Sequence, residues 1–177
     1  MKILILSPLF PPDVGAPAPY VKELLRRLKG HDVTVLIYGY LPELVPGVQM
    51  MAVDKRTWVI RRLVTYTRAL MHARTQADLI IVNSAPSVEL PMLLVSLVTR
   101  NTIVLCESDP LALRASKKGF YKVLHAQIIR RSKKVIVLPK ETLYTAPERL
   151  PFETVDGEVI QAQDIWWKNH CIELTTI

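Results

Sequence analysis

The sequence predicts an α/β protein with a doubly wound, mostly parallel, Rossmann-like sheet that carries helices on both faces. Residues 2–6, 78–82 and 134–138 are short and almost continuously apolar, as is typical of strands buried on both faces of a parallel sheet. Segments of helical periodicity separate these runs. Because strands and helices alternate, the connections are expected to be right-handed crossovers.

The length and composition favour one domain. The chain has 177 residues, of which 50% are hydrophobic, enough for a single core. We assign residues 1–140 to a Rossmann-like domain and residues 141–177 to a tail. Cys106 and Cys171 form neither a disulfide framework nor a metal-ligand spacing, so we expect a cytoplasmic protein. The formal charge of +7 favours anionic partners, which include phosphates, nucleic acid and acidic lipids.

The remaining elements are assigned from the same periodicities. The predicted strands cover residues 2–6, 32–38, 48–53, 78–82, 102–106 and 134–138, and the helices after the first cover residues 55–74, 87–99 and 120–131. The first helix follows the bend after strand 2–6 and buries Val21, Leu24, Leu25 and Leu28.

In the tail, a turn at Asp156-Gly157 between residues 152–155 and 158–162 predicts a small hairpin, and Trp166 and Trp167 are expected to hold the tail on the domain. The longest apolar stretch, residues 88–98, is shorter than the ~20 residues that span a bilayer.

The most informative segment is the Pro- and Gly-rich bend at residues 8–20. In open α/β sheets, ligands bind beyond the carboxyl ends of the strands, where this bend lies. Gly15 and Ala16 place little bulk before a helix start, so backbone N–H groups there can approach a phosphate. The alternative is a rigid bend that only turns the chain. No dinucleotide fingerprint or P-loop motif is present, which argues against nicotinamide oxidoreductases and P-loop enzymes.

Several motifs resemble the family 4 retaining glycosyltransferases, enzymes built from two Rossmann domains (GT-B). Phe10-Pro-Pro-Asp-Val-Gly-Ala-Pro-Ala18 is similar to the F-P-P-E-I-G-A-P-A opening of one bacterial and archaeal subgroup, and Gly30-His-Asp-Val-Thr-Val-Leu36 follows it as in that family. Ala77-Asp-Leu-Ile-Ile-Val82, Ser84-Ala-Pro86 and Arg130-Arg-Ser-Lys-Lys-Val-Ile-Val-Leu138 match in the same order. The resemblance covers roughly residues 1–140.

The resemblance implies an acceptor-binding N-terminal domain and a C-terminal domain that binds a nucleotide sugar. Transfer would occur between the two, and we expect neither a cofactor nor a metal. By the same match, Gly15, Ala16 and Pro17 would border the donor diphosphate, and Ser84 would belong to that site. A second such domain does not fit into 177 residues, so we expect another chain to supply the donor half.

Two carboxylates follow the strand at residues 102–106. Asp109 matches the subgroup's V-R-D-L-W-P-like segment, whereas the Arg, the Trp and the His that many relatives carry are missing. Glu107 and Asp109 are the candidate catalytic residues, because a carboxylate at this edge can bind sugar hydroxyls or accept a proton. The alternative for Asp109 is a helix cap. We expect no metal here, since a pair without a third ligand suits hard cations poorly.

Three surfaces suggest partners. The predicted helix 55–74 is basic and amphipathic. Either it binds the inner face of an anionic membrane, or it covers the sheet and exposes its basic side chains to solvent. The predicted helix from Ser87 to Thr99 is apolar nearly all round and needs a further contact: a second copy in a homodimer, a lipid or the missing domain. The basic residues between Lys117 and Lys134 lack interleaved aromatics, so we expect no nucleic-acid binding.

Three functions are compatible with these patterns. The first is the acceptor-side half of an enzyme that transfers a hexose from a nucleotide sugar to a lipid-linked or saccharide acceptor. The second is a noncatalytic module that binds an acceptor or a partner. The third is a flavodoxin-like nucleotide switch, which has only the basic surface and Asp109 in its favour.

Overall fold

The computed structural model of the chain describes residues 1–15, 17–138 and 157–176. Six parallel strands form one sheet in the order β3-β2-β1-β4-β5-β6. The strands are β1 (Lys2–Ser7), β2 (Asp32–Tyr38), β3 (Val48–Val53), β4 (Leu79–Asn83), β5 (Thr102–Glu107) and β6 (Lys134–Val137). The helices are α1 (Pro17–Arg27), α2 (Val59–Ala73), α3 (Pro86–Ser96), α4 (Pro110–Ala115), α5 (Gly119–Arg131) and α6 (Gly157–Thr175). The predicted α/β class and parallel sheet are confirmed.

The strand order reverses at the centre of the sheet. β1 pairs with β2 on one side and with β4 on the other, in register from Ile3↔Leu79 to Leu6↔Val82 on the β4 side. The chain therefore winds away from β1 in one direction through β3 and then in the other direction through β6. Loops that leave the carboxyl ends of β1 and β4 diverge, and this topology opens a crevice between them.

Both faces of the sheet are covered. Ile3 and Ile5 of β1 face a core formed with α1 and α6, whereas Leu4 and Leu6 face a second core formed with α2, α3 and α5. This alternation explains why the strands read as unbroken apolar runs: successive side chains enter opposite cores.

Most of the apolar surface of α3 packs against other elements of the domain. This helix packs between α2 and α5 and against β4, and Val88, Met92 and Val95 are buried. Leu94, Leu97 and Val98 remain exposed near its carboxyl end. The further contact expected through residues 87–99, with a second copy, a lipid or another domain, stays a prediction, and these three side chains are the part of the surface that it would use.

Helix α2 begins at Val59, four residues after the predicted start. A turn occupies the intervening residues: the Thr57 hydroxyl donates to the Asp54 carbonyl, and Arg56 bonds the Asp54 carboxylate through its backbone N–H and its guanidinium. These local bonds compete with helix formation. The short helix α4 was not predicted.

The hairpin predicted in the tail is wrong in its second half. Residues 158–162, predicted as a strand, lie in helix α6, whereas residues 152–155 fall outside the described part of the chain. The expected role of Trp167 is confirmed, since it stacks on Tyr20 of α1 with ring centroids 5.7 Å apart. Among the described residues, no helix combines the length and the apolarity needed to cross a membrane.

Candidate functional site

Buried polar side chains mark the carboxyl ends of three adjacent strands. They are Ser7 of β1, Asn83 and Ser84 at the end of β4, and Glu107 and Ser108 at the end of β5. The side-chain amide of Asn83 donates from Nδ2 to the Leu6 carbonyl at 3.2 Å, and its Oδ1 atom accepts the Ser108 hydroxyl at 3.2 Å. These bonds fix the strand ends at the point where the crevice opens.

The bend after β1 is held from three directions. Phe10 is buried in the core, the backbone N–H of Glu43 donates to the Pro11 carbonyl at 3.0 Å, and the Asp13 carboxylate forms an ion pair with Lys55. Val14, at the tip, is 98% exposed. The bend is therefore anchored at its base and open to solvent at its tip, as a ligand-binding rim requires.

The Leu9 side chain packs against the backbone at Gly15. A Cβ at this position would overlap Cδ1 of Leu9, whose carbonyl accepts the Ser7 hydroxyl at 2.7 Å. The Gly15 carbonyl accepts the Ala18 N–H at 3.1 Å, which starts α1. Pro17 and Pro19 carry no N–H, so an anion here would depend on the N–H groups of the bend rather than on those of the first helical turn. Ala16 lies outside the described residues, and the diphosphate role of Gly15, Ala16 and Pro17 stays a prediction.

A buried network of Glu89, His125 and Glu107 lies next to the carboxyl ends of β4 and β5. The Nδ1 atom of His125 lies 3.0 Å from Oε1 of Glu89, and its Nε2 atom lies 3.1 Å from Oε1 of Glu107. All three residues are buried, with Glu89 on α3, His125 on α5 and Glu107 at the end of β5. One imidazole thus joins two helices and the sheet.

The network requires two shared protons. Each of the two contacts joins a ring nitrogen to a carboxylate oxygen, and a hydrogen bond in each needs one proton between its partners. Either His125 is an imidazolium between two carboxylates, or a neutral imidazole accepts from one protonated carboxyl group. Both arrangements carry a net charge of −1, so the cluster can move a proton between its two ends without changing its charge.

Ser84 and Tyr121 complete the environment of Glu89. The Ser84 hydroxyl donates to Oε1 of Glu89 at 2.7 Å, and the Tyr121 hydroxyl donates to the same oxygen at 2.9 Å. Burial raises the pKa of Tyr121, so this group remains a hydroxyl donor. Glu89 also lies in the first turn of α3, where the helix dipole favours a negative charge. The predicted site residue Ser84 therefore turns its hydroxyl inward, and its contact with a ligand stays a prediction.

Comparison with known proteins yields a structural likeness. No protein-family model matches the chain, and no curated protein matches its sequence. The chain is similar to the crystal structure of a putative UDP-N-acetylglucosamine 2-epimerase from Listeria monocytogenes, with a TM-score of 0.51 and 14% sequence identity. The likeness shows the fold. The match covers 88% of this chain and 42% of the epimerase chain, so this chain spans less than half the length of that protein.

This Rossmann-like α/β fold agrees with the coarser part of the resemblance that the motifs indicate. A fold shared at this identity does not distinguish a glycosyltransferase from another enzyme of the same architecture. Membership of glycosyltransferase family 4 therefore stays a prediction.

The two predicted catalytic carboxylates have different surroundings. The Asp109 carboxylate accepts the N–H of Leu111 at 2.8 Å and caps α4, which is the alternative role weighed for it. Glu107 belongs to the buried network through His125. Of the two, Glu107 is the better placed for proton transfer, because it has a partner that can take up or return a proton. A catalytic role for either residue stays a prediction.

Sequence reasoning missed Glu89 and His125. Glu89 is the single acidic residue of an otherwise apolar helix, and His125 follows the buried spacing of Tyr121, Leu124 and Ile128. A lone charge on an apolar helix signals a buried partner, but the sequence does not identify that partner across 36 residues.

Two other features of the described residues bear on ligands. A groove of about 570 Å³ lies between α1 and α6, toward the opposite edge of the sheet, and is lined by Arg26, Arg27 and Trp167. Arg27 in this groove already pairs with Glu23 and Asp164, so it is not a ready anion site. No three acidic, His or Cys side chains of residues 1–15, 17–138 and 157–176 are arranged to hold a metal ion.

Proposed function

We propose that this chain is the acceptor-side half of a GT-B-type enzyme that transfers a sugar from a nucleotide sugar to a lipid-linked or saccharide acceptor. One observation carries the proposal: the anchored Gly15 bend and the Glu107–His125–Glu89 network lie at the same edge of the sheet, on either side of the β1/β4 crevice. The GT-B-like fold supports it, as does the likeness to a protein described as acting on UDP-N-acetylglucosamine. The donor-binding half is another domain or chain.

The bend supplies the place for the leaving group. A nucleoside diphosphate that departs from the sugar carries negative charge, and preorganised backbone dipoles stabilise such charge at little reorganisation cost. The backbone N–H of Gly15 is a donor just before the start of α1, and by the match of the motif the N–H of Ala16 would be a second. We therefore expect these backbone donors, without a metal, to stabilise the charge of the leaving group.

The Glu107–His125–Glu89 network would bind the acceptor. Glu107 ends the strand next to β4, so a sugar hydroxyl in the crevice can donate a hydrogen bond to its carboxylate. In this role His125 is a positioning residue: it holds Glu107 and takes up or returns the proton that Glu107 receives. Ser84 and Tyr121 act indirectly: both donate hydrogen bonds to Glu89, which in turn contacts His125.

Transfer of a labelled sugar by the chain assembled with a donor-binding Rossmann domain tests the proposal. We expect Ala16→Glu to lower turnover by about a hundredfold or more, because it places bulk and negative charge beside the diphosphate. Gln76→Glu is the matched control, since it adds the same charge on an exposed residue at the opposite edge of the sheet. Equal turnover in the two variants would remove the bend from the mechanism.

A noncatalytic acceptor-binding module is the second candidate, favoured by the structural roles of two predicted site residues: Asp109 caps α4, and the Ser84 hydroxyl donates inward to Glu89. Saturation-transfer NMR with saccharide acceptors separates the two. Acceptor binding without turnover in any assembly would favour the module, whereas turnover would exclude it.

A further inference from the structure

Exposed apolar side chains lie on the three loops that leave β1, β2 and β3. Val14 is on the first loop, Leu41 and Leu44 are on the second, and Trp58 ends the third. The exposed fractions of Leu41, Leu44 and Trp58 are 73%, 78% and 72%. Four large apolar side chains on one edge of a sheet are unusual for surface that faces only water.

Contacts between other residues of these loops hold the three loops side by side. The Asp13 carboxylate of the first loop pairs with Lys55 of the third, and the guanidinium of Arg56 lies 3.5 Å from the centre of the Tyr40 ring on the second. The Glu43 N–H bonds the Pro11 carbonyl and connects the first two loops. The three loops therefore present their apolar tips together.

The outer face of α2 extends this surface. Trp58, Arg61, Val64, Arg68 and Met71 follow one another at intervals of three or four residues and are all exposed. The buried face of the same helix carries Tyr66 and Leu70, which pack against the sheet. The apolar residues that face outward are thus a different set from those that hold the helix to the domain.

Helix α2 carries charge of one sign, and the acidic side chains of the three loops are paired: Asp13 with Lys55, Glu43 with Lys22 and Asp54 with Arg56. Residues 55–77 contain no Asp or Glu. Their basic side chains are Lys55, Arg56, Arg61, Arg62, Arg68 and Arg74. The core of an interface with another protein is depleted of charged residues, whereas an exposed helix face of apolar and basic side chains suits an anionic lipid surface.

We propose that α2 and the tips of these three loops form a docking surface for an anionic lipid bilayer. Trp58 and the loop apolar side chains enter the headgroup region, and Arg61 and Arg68 contact lipid phosphates. Because the loop that leaves β1 borders the β1/β4 crevice, docking brings that crevice close to the membrane. This inference rests on the proposed function in one respect: it selects lipid-linked molecules as the acceptor class.

Sedimentation with vesicles tests the docking. The purified protein is mixed with phosphatidylcholine vesicles that do or do not contain phosphatidylglycerol. We expect binding only to the anionic vesicles, weakened by salt. Arg61→Gln with Arg68→Gln should weaken partitioning about twenty-five-fold, about fivefold for each basic residue at the surface. Lys117→Gln with Lys118→Gln is the matched control, which removes two exposed cations at the α4–α5 turn and should retain most of the binding.

Trp58→Ser tests the apolar part without loss of the helix. Trp58 is the N-cap residue of α2 and its side chain makes no capping hydrogen bond, whereas serine is a favoured N-cap, so helicity by circular dichroism should be retained. Partitioning should fall about tenfold.

Three results would overturn the docking: equal binding to both kinds of vesicle, equal losses in the two charge variants, or a lipid-free dimer that Trp58→Ser dissociates. If the protein transfers sugar to a water-soluble acceptor but does not bind vesicles, the docking alone would be overturned. Vesicle binding without transfer in any assembly would overturn the proposed function alone.

Discussion

His125 contacts two buried carboxylates, and its removal would leave both of them without that partner. Breaking a buried ion pair typically costs more than 3 kcal/mol, because an uncompensated charge stays inside the protein. We expect His125→Ala to lower the free energy of unfolding by about 3 kcal/mol, measured by urea denaturation. His72→Ala, on the exposed side of α2, is the control and should change it by less than about 0.5 kcal/mol. Similar losses in both variants would contradict a charged role for the network.

Gly15 and Leu9 allow a second test at the residue scale. Gly15→Ala forces the Leu9 side chain out of its place, since the new Cβ would overlap Cδ1 of Leu9. We expect a loss of about 1 kcal/mol in unfolding free energy, typical of overpacking. In a Leu9→Ala background the same substitution should cost much less. A double-mutant cycle measures this coupling, and additive losses would show that another contact requires the glycine.

The docking of α6 on α1 should depend on pH through His170. This imidazole is buried, stacks on Trp166, and has its Nε2 atom 2.8 Å from the Tyr20 hydroxyl. Burial lowers the pKa of His170 to about 4. An imidazole in the unfolded chain titrates near pH 6.5, so the unfolded state binds more protons between these values. The free energy of unfolding should therefore fall as the pH falls from about 6.5 to 4, by at most about 1.4 kcal/mol per pH unit.

His170→Gln isolates this contribution. Glutamine keeps a hydrogen-bonding group near Tyr20 and does not titrate, so the difference in unfolding free energy between the two proteins should shrink as the medium is acidified below pH 6.5. Chemical denaturation at several pH values measures it. A difference that stays constant across that interval would place the acid sensitivity elsewhere.

At the scale of the elements, the sequence predicted what local physics determines. The apolar runs of β1 and β4 locate buried strands within a residue or so, because both faces of the sheet demand apolar side chains. The start of α2 was missed because Asp54 and Thr57 hold a turn that periodicity does not report. Helix α6 was missed because the Asp156-Gly157 pair is also a strong hairpin signal.

One part of the candidate site could be predicted from the sequence and the other part could not. The bend at Gly15 could be predicted, because its residue types and its place after a strand carry the information locally. The Glu89–His125–Glu107 network could not, because it depends on α3 and α5 packing side by side over the end of β5. The alternative weighed for Asp109, a helix cap, also required the structure to decide.

The two cores of the molecule lie on opposite faces of one sheet. A substitution that destabilises either core should therefore destabilise both. Leu4 and Ile5 are neighbours in the central strand β1, are fully buried, and belong to opposite cores. We expect Leu4→Ala and Ile5→Ala each to cost about 2–5 kcal/mol and to unfold the domain in one transition.

Native-state hydrogen exchange distinguishes a shared transition from independent layers. If unfolding is global, Ile5→Ala should lower the protection of slow amides in α3, on the far side of the sheet, by the same free energy as those in α1. Leu4→Ala should do the same from the other face. Because β1 pairs with strands on both sides and supports both layers, neither layer keeps its strand when β1 is released. Protection lost only on the substituted side would mean that the helices on the two faces unfold as separate cooperative units.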